Sequence, residues 1–200
     1  MTPRRLTLAA SAAVLLTACA IGKPVPQANT YAIEPPPPAI SLPRVAETLG
    51  MGRVRVAPAF AGRPLVLRVD AVRYDSDFYH AFIAPPADLL GTQMADWLDR
   101  SGPFRSVTQP DTKTPVNFAL EATVTELYGD FRPNVTPAAV MTVQFSLVDL
   151  RGVSLKVRLE RSIGRRISLR EATPEALVLG YGIALAEILE ELAPQLTQAQ

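Results

Sequence analysis

Between residues 117 and 163 apolar and polar positions alternate with a period of two. In "NFALEATVTEL", Asn117 to Leu127, residues Phe118, Leu120, Ala122 and Val124 share one side. In "VMTVQFSLVD", Val140 to Asp149, the apolar side is Met141, Val143, Phe145 and Leu147, against Thr142, Gln144 and Ser146. From Leu155 to Ile163, Leu155, Val157, Leu159 and Ile163 stand against Lys156, Arg158, Glu160 and Ser162. This alternation predicts three strands with one buried and one wet face, the habit of antiparallel sheet. "DLRG", 149 to 152, reads as a hairpin turn in which Gly152 supplies a positive φ. Tyr128 to Pro137 is a longer connection.

Two stretches change to helical spacing. From Ala87 to Arg100, Leu90, Met94, Trp97 and Leu98 lie on one side and Asp96 and Asp99 on the other. Gly102 suits the C-terminal cap, and Pro103 cannot continue the helix. From Pro174 to Leu192, an apolar stripe runs through Leu177, Tyr181, Ala184, Leu185, Ile188 and Leu192. Thr173 is placed to cap it and Glu175 to complement its dipole. Gly180 and Gly182 weaken that helix by about 1 kcal/mol each relative to Ala, which a close approach to the sheet would explain. "PQLTQAQ", 194 to 200, is expected to fray.

Ahead of these elements, "RVRVAP" from Arg53 places Val54 and Val56 on one face of a strand. Pro64 to Tyr74 reads as a second strand. "DSDFYHAFIAPP" reads as a polar and aromatic loop, and "TYAI", 30 to 33, as a short edge strand. Two amphipathic helices covering one apolar face of a mostly antiparallel sheet predict an α+β, two-layer sandwich. The folded domain is expected over residues 51–193. Residues 20 to 45 hold seven prolines in 26 positions, so they cannot form a helix or a central strand. Pro35 to Pro38 should form polyproline II, and residues 19–50 read as a tether.

The start of the chain has its own pattern. Arg4 and Arg5 precede an uncharged run from Leu6 to Ala18, about 13 residues, short of the roughly 20 that span a bilayer. A basic start, a short apolar core and small residues describe a secretory signal peptide, here residues 1–18. The site Leu16-Thr17-Ala18-Cys19 resembles the lipobox of bacterial lipoproteins. The resemblance implies that Cys19 becomes the mature N-terminus, carrying a diacylglycerol thioether and an N-acyl chain. Ala20 in place of Asp points to the outer membrane, with the domain on its periplasmic face.

Charge and candidate chemistry narrow the function. The chain has 20 basic and 19 acidic side chains, and loss of Arg4 and Arg5 leaves a net of −1. That balance argues against nucleic acid as a partner. His80 is the sole histidine, so neither a zinc cluster nor a histidine relay can be assembled. There is no Gly-x-Ser-x-Gly elbow and no phosphate loop. Asp75 to Asp77 supply too few oxygens for calcium. No catalytic residue, metal or cofactor is expected beyond the acyl groups. Tyr74, Phe78, Tyr79 and Phe82 fall within nine residues. Such a concentration of aromatics suits either the edge of the core or a partner interface.

These features in this order resemble the ABC-type transport auxiliary lipoprotein family, the PqiC-like proteins. The carriers are the lipobox, Tyr31-Ala32-Ile33, the strand ending Val54-Arg55-Val56-Ala57-Pro58, and Leu98, Ser101, Gly102, Phe104 and Val107 in the family's spacing. Family members often have a Trp just before the helix, where this chain has Pro85 and Pro86. The resemblance implies a non-enzymatic auxiliary component of a phospholipid transport system between the inner and outer membranes. Its implied partners are an MCE-domain protein and an ABC transporter permease and ATPase. Homo-oligomerisation stays open. The alternative is a lipoprotein scaffold for another envelope machine, in secretion or peptidoglycan synthesis.

Overall fold

The three alternating segments form the centre of one mixed sheet. The computed structural model describes residues 28–199, so the signal peptide and Cys19 lie outside the described residues. The elements are β1 (Asn29–Tyr31), β2 (Thr48–Val56), β3 (Pro64–Arg68), β4 (Tyr74–Phe82), α1 (Pro86–Ser101), β5 (Ser106–Thr108), β6 (Phe118–Asp130), β7 (Ala138–Asp149), β8 (Lys156–Ser168) and α2 (Pro174–Gln198). The long ladders, β6 with β7 and β7 with β8, are antiparallel. β2 and β3 both run parallel to β6 along its other side, and β5 and β1 pair parallel at the margins. Both helices pack on one face, α1 against β2 and α2 against β7 and β8. The fold is therefore α+β in two layers, as the alternation implies.

β2, β6 and β8 each depart from strict alternation by a bulge. In β2 the register shifts between Met51 and Val54, so residues three apart both face the helices. β6 carries one extra residue at Thr125, which sets Val124 and Leu127 on the same side. In β8 the extra residue is Arg158, between the pairs Leu147↔Leu159 and Val148↔Val157. A one-residue slip turns every following side chain to the other face. Leu159 and Ile163 are buried as expected, but Val157, beyond the bulge, is 57% exposed, and Leu155 precedes the strand and is 72% exposed. The connection from Leu150 to Leu155 is longer than a tight turn, and Gly102 is the one glycine with positive φ among the described residues. Gly152 does not take the role expected of it.

Three boundaries differ from expectation. Pro64 to Tyr74 is a hairpin rather than one strand. Asp70 Oδ1 accepts the Ala71 N–H at 2.6 Å, and Val69 N–H donates to the Arg73 carbonyl at 3.0 Å, closing a turn. The helix α2 passes through Pro194 to Gln198, so residues 194–198 are helical rather than frayed. Leu196 is fully buried there, and that burial, about 1.5–3 kcal/mol, offsets the roughly 3 kcal/mol that an interior proline costs.

The third difference is the proline-rich segment. From residue 28 onward it is a strap laid on the domain, not a free tether. β1 pairs with β4, Ile33 is fully buried, and Tyr31, Ile40, Leu42 and Val45 pack against the core. The strap crosses both helices. Trp97 Nε1 donates to the Pro36 carbonyl at 3.1 Å, and Leu42 N–H donates to the Ser101 carbonyl at 2.8 Å. A Cβ on Gly182 would stand 2.5 Å from Glu34 O, and one on Gly180 would stand 2.7 Å from Ala139 Cβ. The two glycines thus serve two different close approaches, one to the strap and one to the sheet.

Candidate functional site

The aromatic segment lies on a strand, β4, yet part of it projects as a loop would. Against β3, Ser76 pairs with Val66 and Ala81 with Pro64, which leaves extra β4 residues between them. Asp77 shapes this bulge. Its Oδ1 accepts the backbone N–H of Tyr79 at 2.9 Å and of His80 at 3.1 Å. Its Oδ2 lies 2.8 Å from His80 Nδ1. An aspartate holding the N–H groups two and three residues ahead is a local turn device. It drives Phe78 outward to 86% exposure, with Tyr79, 42% exposed, set edge-on against it at 5.2 Å between centroids. The pair forms an apolar knob on the surface.

The four aromatic residues singled out in the sequence do not act together. Phe82 is 2% exposed and packs beside Tyr181 of α2, 6.1 Å between centroids. It is a core residue, because the bulge leaves the last turn of alternation pointing inward, and it is withdrawn from the surface set. Tyr74 stands edge-on to Tyr128 at 5.4 Å, which stacks on Phe60 at 5.9 Å. Arg68 lies over the Tyr74 ring at 5.7 Å. Tyr74 is therefore half in a packed cluster and half in solvent. Phe78 and Tyr79 remain as the free aromatic surface, next to the residue pair Asn29↔His80 where the chain enters the fold.

Two carboxylates that sequence reasoning passed over tie strands together at opposite ends of the β6–β7 ladder. Asp130, fully buried at the end of β6, is held by Arg132 through Nε at 2.8 Å and Nη2 at 2.8 Å, and by Arg166 Nη1 at 2.6 Å. Asp149, at the end of β7, is held the same way by Arg151 and by Arg158 of β8. In each case a bidentate Arg two residues on and a second Arg from β8 grip one carboxylate. These guanidinium groups, led by Arg132 and Arg151, hold both carboxyls well below the usual range. The signal was legible as Asp-x-Arg occurring twice, at 130–132 and 149–151. Both are ties between strand ends. Arg165 is tied likewise, to Glu187 and Glu191 of α2, so Arg165 and Arg166 do not form a free basic patch.

Around these ties the surface offers binding geometry. The helix-free face carries a polar groove of about 370 Å³ lined by Glu121, Thr123, Gln144, Ser146, Glu160 and Ser162. Among the described residues no three His, Cys, Asp or Glu side chains are grouped to hold a metal. No described helix is long and apolar enough to cross a membrane. The family model for the ABC-type transport auxiliary lipoprotein component matches residues 31–193. The chain belongs to this family. The match takes in the strap from Tyr31, the strands β2 to β8, α1 and α2 as far as Ala193, and begins at the residue whose hydroxyl donates to Glu175 Oε1 at 2.7 Å. Burial and that carboxylate push the Tyr31 phenol up to about 12.

Solved structures show the same fold. A Xanthomonas campestris protein of the DUF330 family is 17% identical, with TM-score 0.75 over 86% of this chain and 96% of that one. A second, uncharacterized protein gives 16% identity and TM-score 0.63 over 86% and 97%. A hypothetical protein from Chlamydia trachomatis gives 9% and 0.52 over 78% and 98%. No curated protein matches the sequence. The family is one of auxiliary transport components of the lipoprotein type, associated by its description with an ABC-type transport system.

Proposed function

We propose that this auxiliary lipoprotein is anchored through acylated Cys19 in the outer membrane, faces the periplasm, and serves a phospholipid transport system that joins an ABC permease and ATPase to an MCE-domain protein. The family match over 31–193 is the observation that carries the reading. The lipobox supplies the anchor, and two or three acyl chains hold a protein stably in a bilayer at about 0.8 kcal/mol per buried CH₂. The role is docking rather than chemistry: the two strongly perturbed carboxyls, Asp130 and Asp149, are locked in arginine ties and turned away from proton transfer.

Docking to the MCE-domain protein is assigned to the Phe78–Tyr79 knob, with the exposed side of Tyr74. Aromatic anchors at an interface each cost about 2 kcal/mol or more when truncated. Phe78→Ala removes a ring that touches little of its own protein, so folding should be unchanged while capture of the MCE-domain protein from solubilised envelopes falls severalfold. Cys19→Ala should leave an unacylated precursor in the same preparation. Full capture by a folded Phe78→Ala, Tyr79→Ala double variant refutes the docking assignment. Normal acyl labelling of Cys19→Ala refutes the anchor.

A further inference from the structure

Three connections share one end of the sheet. Asp130 at the end of β6 is level with Ala138 at the start of β7, and Ala138 with Ser168 at the end of β8. Arg68, at the end of β3, is level with both Asp130 and Tyr74. The β3–β4 turn, the β6–β7 loop and the β8–α2 connection therefore lie at this end. The other end, level with Phe118, Asp149 and Lys156, carries the connection from 150 to 155. Both ends expose apolar side chains: Val72 at 90% and Val135 at 37% on the first, Val153 at 110% on the second. Exposure does not distinguish them.

The direction of the chain does. β1 runs parallel to β4 with Asn29 opposite His80, so the backbone before Asn29 leaves toward Tyr74 and the first end. The strap after β1 travels away from that end: Tyr31 bonds Glu175 in the first turn of α2, and Ala39 N–H donates to Glu190 Oε1 about four turns on. Pro64 is level with Ala81 and leads to Arg68, which sets Asn29 about 13 Å from the first end. Residues 20 to 28 reach roughly 30 Å when extended. β6 spans 13 residues, about 40 Å, so the second end lies near the limit of that reach and in the opposite direction.

We propose that the first end is a membrane-contacting surface: the β3–β4 turn and the β6–β7 loop sit on the phospholipid bilayer that holds the protein, with Val72 and Val135 entering the headgroup region. This rests on the reading of Cys19 as the acylated anchor. Both tips are held in shape. Val69 N–H donates to the Arg73 carbonyl at 3.0 Å, and Asp70 Oδ1 accepts the Ala71 N–H. Asn134 takes a positive φ of 63°, and Val135 N–H donates to the Arg132 carbonyl at 3.4 Å. Residues 131–137 contain no carboxylate. Residues 68–75, 130–137 and 166–173 together hold five arginines and four carboxylates, so this end does not repel anionic headgroups. Arg132 spends Nε and Nη2 on Asp130, and its Nη1 has no partner among the described residues, which leaves it for a phosphate oxygen. One excess charge and two valines are too little to bind a bilayer alone. The acyl chains hold the protein and these loops orient it.

The test uses the mature acylated protein in vesicles of phosphatidylethanolamine and phosphatidylglycerol. Cys19 is the sole cysteine, so once it is acylated a new cysteine is the one free thiol. Val72→Cys, Val135→Cys and Val153→Cys are each labelled with an environment-sensitive fluorophore, and the vesicles carry lipid spin-labelled just below the headgroup. Flotation with the vesicles reports the anchor, and quenching reports the surface. The probes at 72 and 135 should be quenched severalfold, and the probe at 153 should keep its intensity. Protein that floats with 72 and 135 unquenched, or with 153 quenched equally, overturns the membrane surface and leaves the anchor standing. Protein that does not float refutes the anchor and the orientation with it. A probe at 72 that becomes shielded only as protein density in the vesicle rises, without quenching by lipid, assigns the loops to a second copy and also overturns the proposal.

Discussion

Gly182→Ala decides whether the proline-rich strap is part of the fold. In a helix interior the change should stabilise by about 1 kcal/mol, since Gly is the weaker helix former. In this structure the new Cβ would lie 2.5 Å from Glu34 O and 3.2 Å from Glu34 C. Neither atom belongs to a flexible side-chain end, so the strap backbone must move by most of an ångström. Overpacking of that kind costs about 1–3 kcal/mol. The strap resists leaving altogether, because burying Ile33 contributes about 1.5–3 kcal/mol and the Trp97–Pro36 hydrogen bond about 0.5–1.5 kcal/mol. The expected net is therefore destabilisation of up to about 2 kcal/mol, with the sign set by the strap. Urea denaturation of the variant measures it, and protease cleavage between residues 34 and 45 should become faster. In a chain that begins at Val45 the same substitution should turn stabilising, by about 1 kcal/mol. If Gly182→Ala stabilises the complete domain and leaves the strap as protease-resistant as before, the strap is not seated on α2 and the reasoning fails.

Two further outcomes follow from the core and the ties. Phe82→Ala should cost about 3–5 kcal/mol in thermal or urea unfolding, whereas Phe78→Ala should move the midpoint little; equal losses would contradict their placements. The Asp130 carboxyl is depressed in the folded state, so its contribution is fully present above the unfolded value near 4 and is lost as pH falls below it. Asp130→Asn should cost about 1–3 kcal/mol at pH 7, the lower range because Arg132 and Arg166 are partly solvated, and should flatten the acid limb of a stability–pH curve. An acid limb as steep as that of the parent chain would remove Asp130 from the account.

The sheet and helices were legible because period two and period 3.6 are set by which face is buried. The alternation from Phe118 to Val124 and from Met141 to Leu147 meets the core as read, and α1 begins and ends within a residue of its expected bounds. What the pattern could not carry was register. Leu155, Val157 and Leu159 continue one apolar series in sequence, but Leu155 falls in the connection before β8, and a single inserted residue, Arg158, sets Val157 to solvent and Leu159 to the core. The cause is visible only when Asp149 is seen to hold Arg158 from the neighbouring strand. Asp77 is a similar case. Its two backbone hydrogen bonds convert a strand into a bulge, and the aromatic segment then divides into a buried Phe82 and an exposed Phe78.

Composition misjudged the strap for a different physical reason. Proline content fixes backbone shape and removes donors, so it correctly excluded helix and central strand over residues 28 to 45, the part of the segment among the described residues. It says nothing about whether an extended segment has a surface to lie on. That surface is built by residues far along the chain: Trp97 offers the indole N–H that a proline carbonyl accepts, Gly182 leaves room for the Glu34 backbone, and Glu175 takes the Tyr31 hydroxyl. Each is an ordinary helix residue when read alone. Together they hold the chain from Asn29 onward against the domain, so at most about nine residues separate Cys19 from the folded body. Fully extended, those residues reach roughly 30 Å. Acylation at Cys19 would therefore keep the β4 knob close to the membrane surface, and a partner that docks there must approach the domain within that distance of the bilayer.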